Sequence, residues 1–372
     1  MKKIFILLFS TFLFSGCSYT ELNDLAIASA VGIDYIDDKF YLTTQIMNIK
    51  SNDSGATKEN TLIYEASGET IAKAVRNFSI RYPKNVYFGH LEFIVISEDA
   101  ANKKLEDIFD YFMRAPEART SGFVTIVKDK TAKEILNPKN EVKDSFPTEA
   151  VKSTLMDATK RNGTVNDITF EEFLSFYLKK GIDPVVPLIK NEENKGITAS
   201  STLIHDMVPI KKDKVLTPLS SKESIAYNLI NNNFEDIIID CKYDKKSFAS
   251  LIYNPSSSVD VKINKNKITV NINVYFESKV REINSKVNLS NNKVNKKLKK
   301  QVNKEIESYI NELINYSKEN NVDILGIGNM IYKNYNDKYD KYKNINFYEE
   351  ADFKIKVDNK MYRYGNINKG AA

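Results

Sequence analysis

Between Val259 and Val274 the chain alternates with a period of two. Val259, Val261 and Ile263 are separated by Asp260 and Lys262; beyond Asn264–Lys267, Ile268, Val270, Ile272 and Val274 are separated by Thr269, Asn271 and Asn273. Successive side chains on a strand point to opposite faces, so two such arms around an Asn-Lys turn predict an antiparallel hairpin with one face buried and the other wet. The longest helical pattern follows it. From Leu289 to Asn320, the residues Val294, Leu298, Val302, Ile306, Ile310 and Leu313 recur at helical spacing and form one buried stripe. The first turns of that helix hold Lys293, Lys296, Lys297, Lys299, Lys300 and Lys304 with no acid among them. Such a run is usually a solvated face, and it is also the chemistry that meets anionic lipid. Ile324 to Gly328 passes through two glycines. Tyr332 to Tyr342 reads as a short helix. Asp352 to Val357 alternates again, and Asp358-Asn359 reads as a turn from which Met361 to Tyr364 pairs back.

Upstream, strands and helices alternate. Ala26 to Ile33 and Phe40 to Met47 read as strands around a turn marked by Asp34, Asp37 and Asp38. Ser51 to Asn60 reads as an exposed loop, and Thr61 to Ala66 as a third strand. A helix follows Gly68-Glu69, with Ile71, Ala74, Val75 and Phe78 on one face, and Pro83 closes it. Val86 to Ile96 is apolar, with Leu91, Phe93 and Val95 on one side. Ser97-Glu98-Asp99 has the residues of a helix start, and Leu105, Ile108, Phe109 and Phe112 give that helix a core face. Gly122 to Val127 is a strand; Ala132–Leu136, Ser153–Arg161 and Phe170–Lys179 are short helices. Beyond Gly181–Pro187 and a polar hinge at Asn191–Gly196 come strands at Ile197–Ile204, Val208–Ile210 and Val215, a helix at Ser221–Asn231, and a strand at Phe234–Ile239. This mixture predicts an α+β chain with largely antiparallel sheets and a long helix near the C-terminus.

The N-terminus fixes where the chain goes. Lys2 and Lys3 precede an uncharged run from Ile4 to Phe14, then Ser15, Gly16 and Cys17. A charged end, a short apolar core and small residues at a cut site make a secretory signal, and the run is far below the ~20 residues that cross a bilayer. A cysteine directly after the small pair resembles a bacterial lipobox, in which the Cys17 thiol takes a diacylglyceryl group and its freed amine is often acylated. Phe14 stands where leucine is usual. Residues 1–16 are then a signal peptide and the remainder a water-exposed body, held by two or three acyl chains where one would bind marginally. The chain has two cysteines; with Cys17 acylated, Cys241 has no partner within it, and a buried apolar role is expected for it. Export without disulfides suits a Gram-positive type of envelope. The net charge of +5 on 372 residues is too small to argue for nucleic acid.

No enzymatic constellation stands out. His90 and His205 have no second ligand at metal spacing, so neither a metal nor another cofactor is expected, and a structural hydrogen bond is expected of His90. Gly326-Ile327-Gly328 follows a helix and reads as a turn, not as a phosphate loop. Glu117, between Arg114 and Arg119, reads as a salt-bridged corner.

Several segments in order carry a resemblance: Glu21-Leu-Asn-Asp-Leu-Ala26 leading to Gly32-Ile-Asp34; Gly89-His90; Glu98-Asp-Ala-Ala101; Phe109-Asp-Tyr-Phe-Met-Arg-Ala-Pro-Glu-Ala-Arg119; Thr131-Ala-Lys-Glu-Ile-Leu136; and Val322-Asp-Ile-Leu-Gly-Ile-Gly328. In that order they resemble the Ger(x)C family of spore germination lipoproteins, the C subunits of nutrient germinant receptors. The family often carries tryptophan after the lipidated cysteine and near the C-terminus. Here Ser18-Tyr19 and Tyr339-Asp-Lys-Tyr342 stand in those places. The resemblance implies three mixed α/β domains, placed here at 17–190, 191–283 and 284–372. It also implies lipidation at Cys17, no catalytic or cofactor residues, and attachment to the outer face of the spore inner membrane. The implied partners are a transporter-like B-type subunit and a larger A-type membrane subunit.

A solute-binding lipoprotein of a transporter is the competing reading. It would need two lobes of parallel sheet with a cleft between them, which the antiparallel patterns disfavour. An exported, lipid-anchored enzyme is a weaker third.

Overall fold

The first hairpin shows how this glycine-poor chain makes its turns. β1 (Leu25–Ile36) and β2 (Lys39–Ser51) pair antiparallel with Ile36 opposite Lys39. The two residues between them, Asp37 and Asp38, have φ of 48° and 57°. Positive φ at both central positions is the type I′ turn, whose twist matches the strands it joins, and aspartate tolerates it better than most residues do. The structure, a computed structural model, describes residues 24–51, 57–80, 82–115, 117–136, 148–192, 201–265, 267–283, 287–289, 291–343 and 345–362.

The first sheet has nine strands. β3 (Thr57–Gly68), β2 and β1 form an antiparallel flank. β5 (Phe93–Ser97), β6 (Phe123–Val127) and β7 (Val185–Glu192) continue it parallel to β1, and β4 (Asn85–Tyr87) pairs parallel with the start of β1. β8 (Ser201–Lys211) and β9 (Lys214–Val215) close the other flank antiparallel. Central parallel strands are covered on both faces and need no alternation, and all five residues of β5 are buried.

On one face lie α1 (Ile71–Asn77), α2 (Glu98–Arg114) and α5 (Phe170–Leu178). Ser97 caps α2 and accepts from the Ala100 amide at 3.4 Å. The layer is aromatic: Phe109 packs against Phe173 at 4.7 Å between centroids and against Phe170 at 5.6 Å. On the other face lie α3 (Ala132–Leu136), α4 (Thr148–Asp157) and α6 (Ser221–Ile230).

The second sheet has the order β10 (Asp236–Tyr243), β11 (Lys246–Asn264), β12 (Lys267–Ile283), β13 (Asp352–Tyr362). The Val259–Val274 hairpin is at its centre, with Ile263 opposite Ile268 and Val261 opposite Val270. Its apolar face packs on the long helix α7 (Asn292–Glu319) through the buried Leu298, Val302, Ile306, Ile310 and Leu313. Three short helices, α8 (Ile327–Asn334), α9 (Asn336–Tyr342) and α10 (Phe347–Glu350), lead from α7 back into β13. One contiguous core joins the second face of the first sheet, at Phe93, Val95 and Val127, to the whole interior of the second.

Several local expectations are corrected. β3 begins at Thr57, so part of the expected Ser51–Asn60 loop is strand; residues 52–56 lie outside the described residues. Val86–Ile96 is two strands, because Phe88–Glu92 leaves the sheet. The two strands expected within Ile197–Ile210 are one, β8, from Ser201 to Lys211. The closing turn at Asp358-Asn359 does not form. β13 runs straight through to Tyr362, parallel to β12. Asn359 is 1% exposed, and its amide is spent on α7: it donates to Asn303 Oδ1 at 2.6 Å, while Asn303 donates to the Val357 carbonyl at 3.0 Å.

Candidate functional site

Cys17 and the signal segment lie outside the described residues. What the structure does place are the sequence segments singled out above, and they meet in pairs.

The first pair joins Gly32-Ile33-Asp34 to Thr131–Leu136. Asp34 is 2% exposed at the inner part of β1. Its carboxylate oxygens accept from the amides of Ala132 at 2.8 Å and Lys133 at 3.1 Å, the first turn of α3. A carboxylate there satisfies amides that have no partner within the helix. Burial raises the Asp34 pKa even against these two hydrogen bonds. Gly32 is a glycine for steric reasons, since a Cβ would stand 2.9 Å from Leu136 Cδ1 and 3.1 Å from Ala132 Cβ.

The second pair joins Lys180–Asp183, which links α5 to β7, to Val322–Asn329, which links α7 to α8. Asp323 accepts from the amides of Ile327 at 2.9 Å and Gly328 at 2.6 Å and from the Tyr348 hydroxyl at 3.0 Å. Two bonds lock it to the other segment: the Asp183 amide donates to the Asp323 carbonyl at 2.9 Å, and the Asp323 amide donates to the Asp183 side-chain Oδ2 at 2.7 Å. The Asn329 amide donates to the Gly181 carbonyl at 2.6 Å. Backbone touches backbone at this crossing. A Cβ on Gly181, whose φ is +70°, would lie 2.4 Å from the Gly328 carbonyl carbon; one on Gly328 would lie 2.8 Å from the Phe347 ring. α7 ends at Glu319, and Gly326, with φ of +68°, is the N-cap of α8; the turn expected at Gly326–Gly328 is instead a helix start, with Ile327 and Gly328 already helical. Burial pushes the Asp323 pKa up to about 7, outweighing its three donors, and Asp183 nearby is raised for the same reason.

Over this crossing lies an open groove of about 630 Å³, lined by Tyr177, Asp183, Lys211, Asp213, Tyr339 and Lys343 among others. Its polar groups are largely engaged with one another or with backbone. Tyr177 donates to Asp213, Lys211 to the Asn321 carbonyl, and Lys343 pairs with Asp340 at 2.8 Å. The arrangement can hold two parts of the chain together: Asp183 and Asp323 accept from backbone amides, and Asp213 from the Tyr177 hydroxyl.

Cys241 is 2% exposed in β10, and burial pushes its thiol up to about 12, so it stays protonated. His90 is exposed, its ring edge-on to Tyr87 at 6.3 Å, in place of the expected structural hydrogen bond; His205 lies in β8. At the Arg114–Arg119 corner, Arg114 pairs with Asp110 at 2.8 Å and Arg119 donates to Ser121, so the expected bridge through Glu117 is replaced. Among the described residues no cluster of metal-ligating side chains occurs, and no helix is long and apolar enough to cross a membrane.

Comparison with known proteins gives concordant matches along the chain. The family model "Spore germination protein N-terminal domain" matches residues 18–191, and "Spore germination B3/ GerAC like, C-terminal" matches residues 206–365. Spore germination protein KC of Bacillus subtilis (strain 168) is 25% identical over 386 residues, covering 97% of this chain and 95% of the relative. Spore germination protein GerQC of Bacillus cereus is 24% identical, covering 78% and 79% respectively. The crystal structure of the GerBC protein has the same fold, with a TM-score of 0.54 at 17% identity over 89% of this chain and 96% of that one.

Proposed function

The chain belongs to the GerAC-like family of spore germination proteins, and we propose that it is the lipid-anchored, non-enzymatic C subunit of a nutrient germinant receptor. The observation that carries this reading is the match of both family models in register along one chain, together covering the body on both sides of β7–β8. The signal pattern ending at Cys17 supplies the anchor. The acylated cysteine holds the body on the outer face of the spore inner membrane. Confinement to that layer raises its effective concentration near membrane-embedded partners, a transporter-like B-type subunit and a larger A-type subunit. It acts by contact. The engagement of Asp183, Asp213 and Asp323 with groups of this chain supports that reading over a solute-binding lipoprotein, which would need polar groups turned toward a ligand.

The test is the Cys17→Ala variant of the full chain, followed by radiolabelled palmitate incorporation and by fractionation. Label in the wild-type protein and none in the variant, with the variant lost from the membrane fraction, is the expected result. Equal label in both would refute the assignment of Cys17.

A further inference from the structure

The first half of α7 breaks a local rule without compensation among the described residues. Lys293, Lys296, Lys297, Lys300 and Lys304 are all exposed. Their spacing puts them on one side of the helix, opposite Leu298, Val302 and Ile306. The N-terminal end of a helix carries the positive pole of its dipole, where acids are favoured and lysines opposed. Yet the first turn of α7 has no acid, and the acids of this helix, Glu305, Glu307, Glu312 and Glu319, begin only after the lysines end. Among the described residues, Lys299 alone of the six lysines has an ion-pair partner, Asp358 at 2.8 Å. Departures of this kind, unrelieved by the fold itself, are expected where a surface is used.

We propose that this face of α7 docks on an anionic phospholipid surface. The five ammonium groups run along about 16 Å of helix, a row suited to an extended sheet of negative charge and not to a single small anion. The inference goes beyond the anchored-subunit reading and rests on it for placing the body beside a membrane. It adds an orientation: the second sheet stands with α7 toward the lipid and its open face, which carries Lys262 and Tyr275, away from it.

The test uses the full-length, lipid-modified protein in vesicles of phosphatidylcholine alone or mixed with phosphatidylglycerol, some of the lipid bearing a nitroxide headgroup. One preparation carries Lys297→Cys and another Lys262→Cys, each labelled with a fluorophore; the buried, protonated Cys241 does not compete for label. Flotation with vesicles of phosphatidylcholine alone, which offer no anionic surface, reports the anchor separately. The proposal expects quenching at position 297 at least about threefold stronger than at 262 in phosphatidylglycerol vesicles. It expects that difference to vanish in about 1 M salt, where the screening length is ~3 Å, and to fall in the Lys293→Gln/Lys300→Gln/Lys304→Gln variant. Protein that floats with equal quenching at both positions overturns the docking face and leaves the anchor standing. Protein that fails to float with phosphatidylcholine alone yet is quenched at 297 on anionic vesicles supports the face and contradicts the anchor. Shielding of 297 that requires the membrane-embedded partner subunits would assign the lysines to an acidic protein surface and overturn the lipid proposal.

Discussion

Asp323 joins two opposed demands. Three donors favour its charged form and burial disfavours it, and burial wins, with the pKa pushed up from 3.8 to about 7. A carboxyl with a raised folded-state pKa binds its proton more tightly when folded. Its contribution to stability is therefore complete below about pH 4 and is lost as pH rises to about 7, beyond which the slope vanishes. Asp34 and Asp183 act in the same direction, while the exposed Asp110 and Asp358, held low by Arg114 and Lys299, act in the other. The Asp323→Asn variant is expected to be less stable by about 1–3 kcal/mol at low pH, because its amide faces a backbone N–H, and to lose the part of the pH dependence that lies between about 4 and about 7. Urea midpoints of both proteins across that range check this, and parallel curves would contradict it. The sequence shows Val322-Asp-Ile-Leu-Gly-Ile-Gly328 plainly, but its two glycines read as a turn, whereas Gly326 caps α8 and Gly328 lies in the first turn of that helix. That the aspartate within it is buried could not be read, since its burial depends on Tyr348 and on Gly181–Asp183, 140 residues away at the closest bond.

Among elements, the β11–β12 hairpin and α7 were legible because a single face of each is buried and the period of the pattern reports it directly. β13 was half legible. Asp352–Val357 alternates, but Asp-Asn at 358–359 imitates a turn, and the strand continues because the Asn359 side chain is captured by Asn303 of α7 and Ser278 of β12. A long-range polar network of that kind leaves no local signal. Asn359→Ala leaves Asn303 short of a buried partner and is expected to cost about 1–3 kcal/mol. Thermal unfolding checks the loss. A variant as stable as the wild type would mean that Asn359 is replaceable by water.

For the whole molecule, the pairing explains why three parts are not three independent bodies. The boundaries proposed near Lys190 and Ile283 are each bridged by strands, β7 to β8 across the first and β12 to β13 across the second. One core runs from the first sheet into the second. We retain the three-part division as a proposal about units that share their sheets. Composition and hydropathy could not report this sharing, because they register which segments are apolar and not which segments meet. A body so joined is suited to transmit position and contact, as the role proposed here requires. The most direct measurement is affinity purification of the full-length protein from detergent-extracted spore membranes, followed by identification of what accompanies it. Recovery with two multi-spanning proteins, the bait beginning at an acylated Cys17, is the expected result; a polypeptide found alone in the aqueous fraction with residues 1–16 still attached would contradict the account.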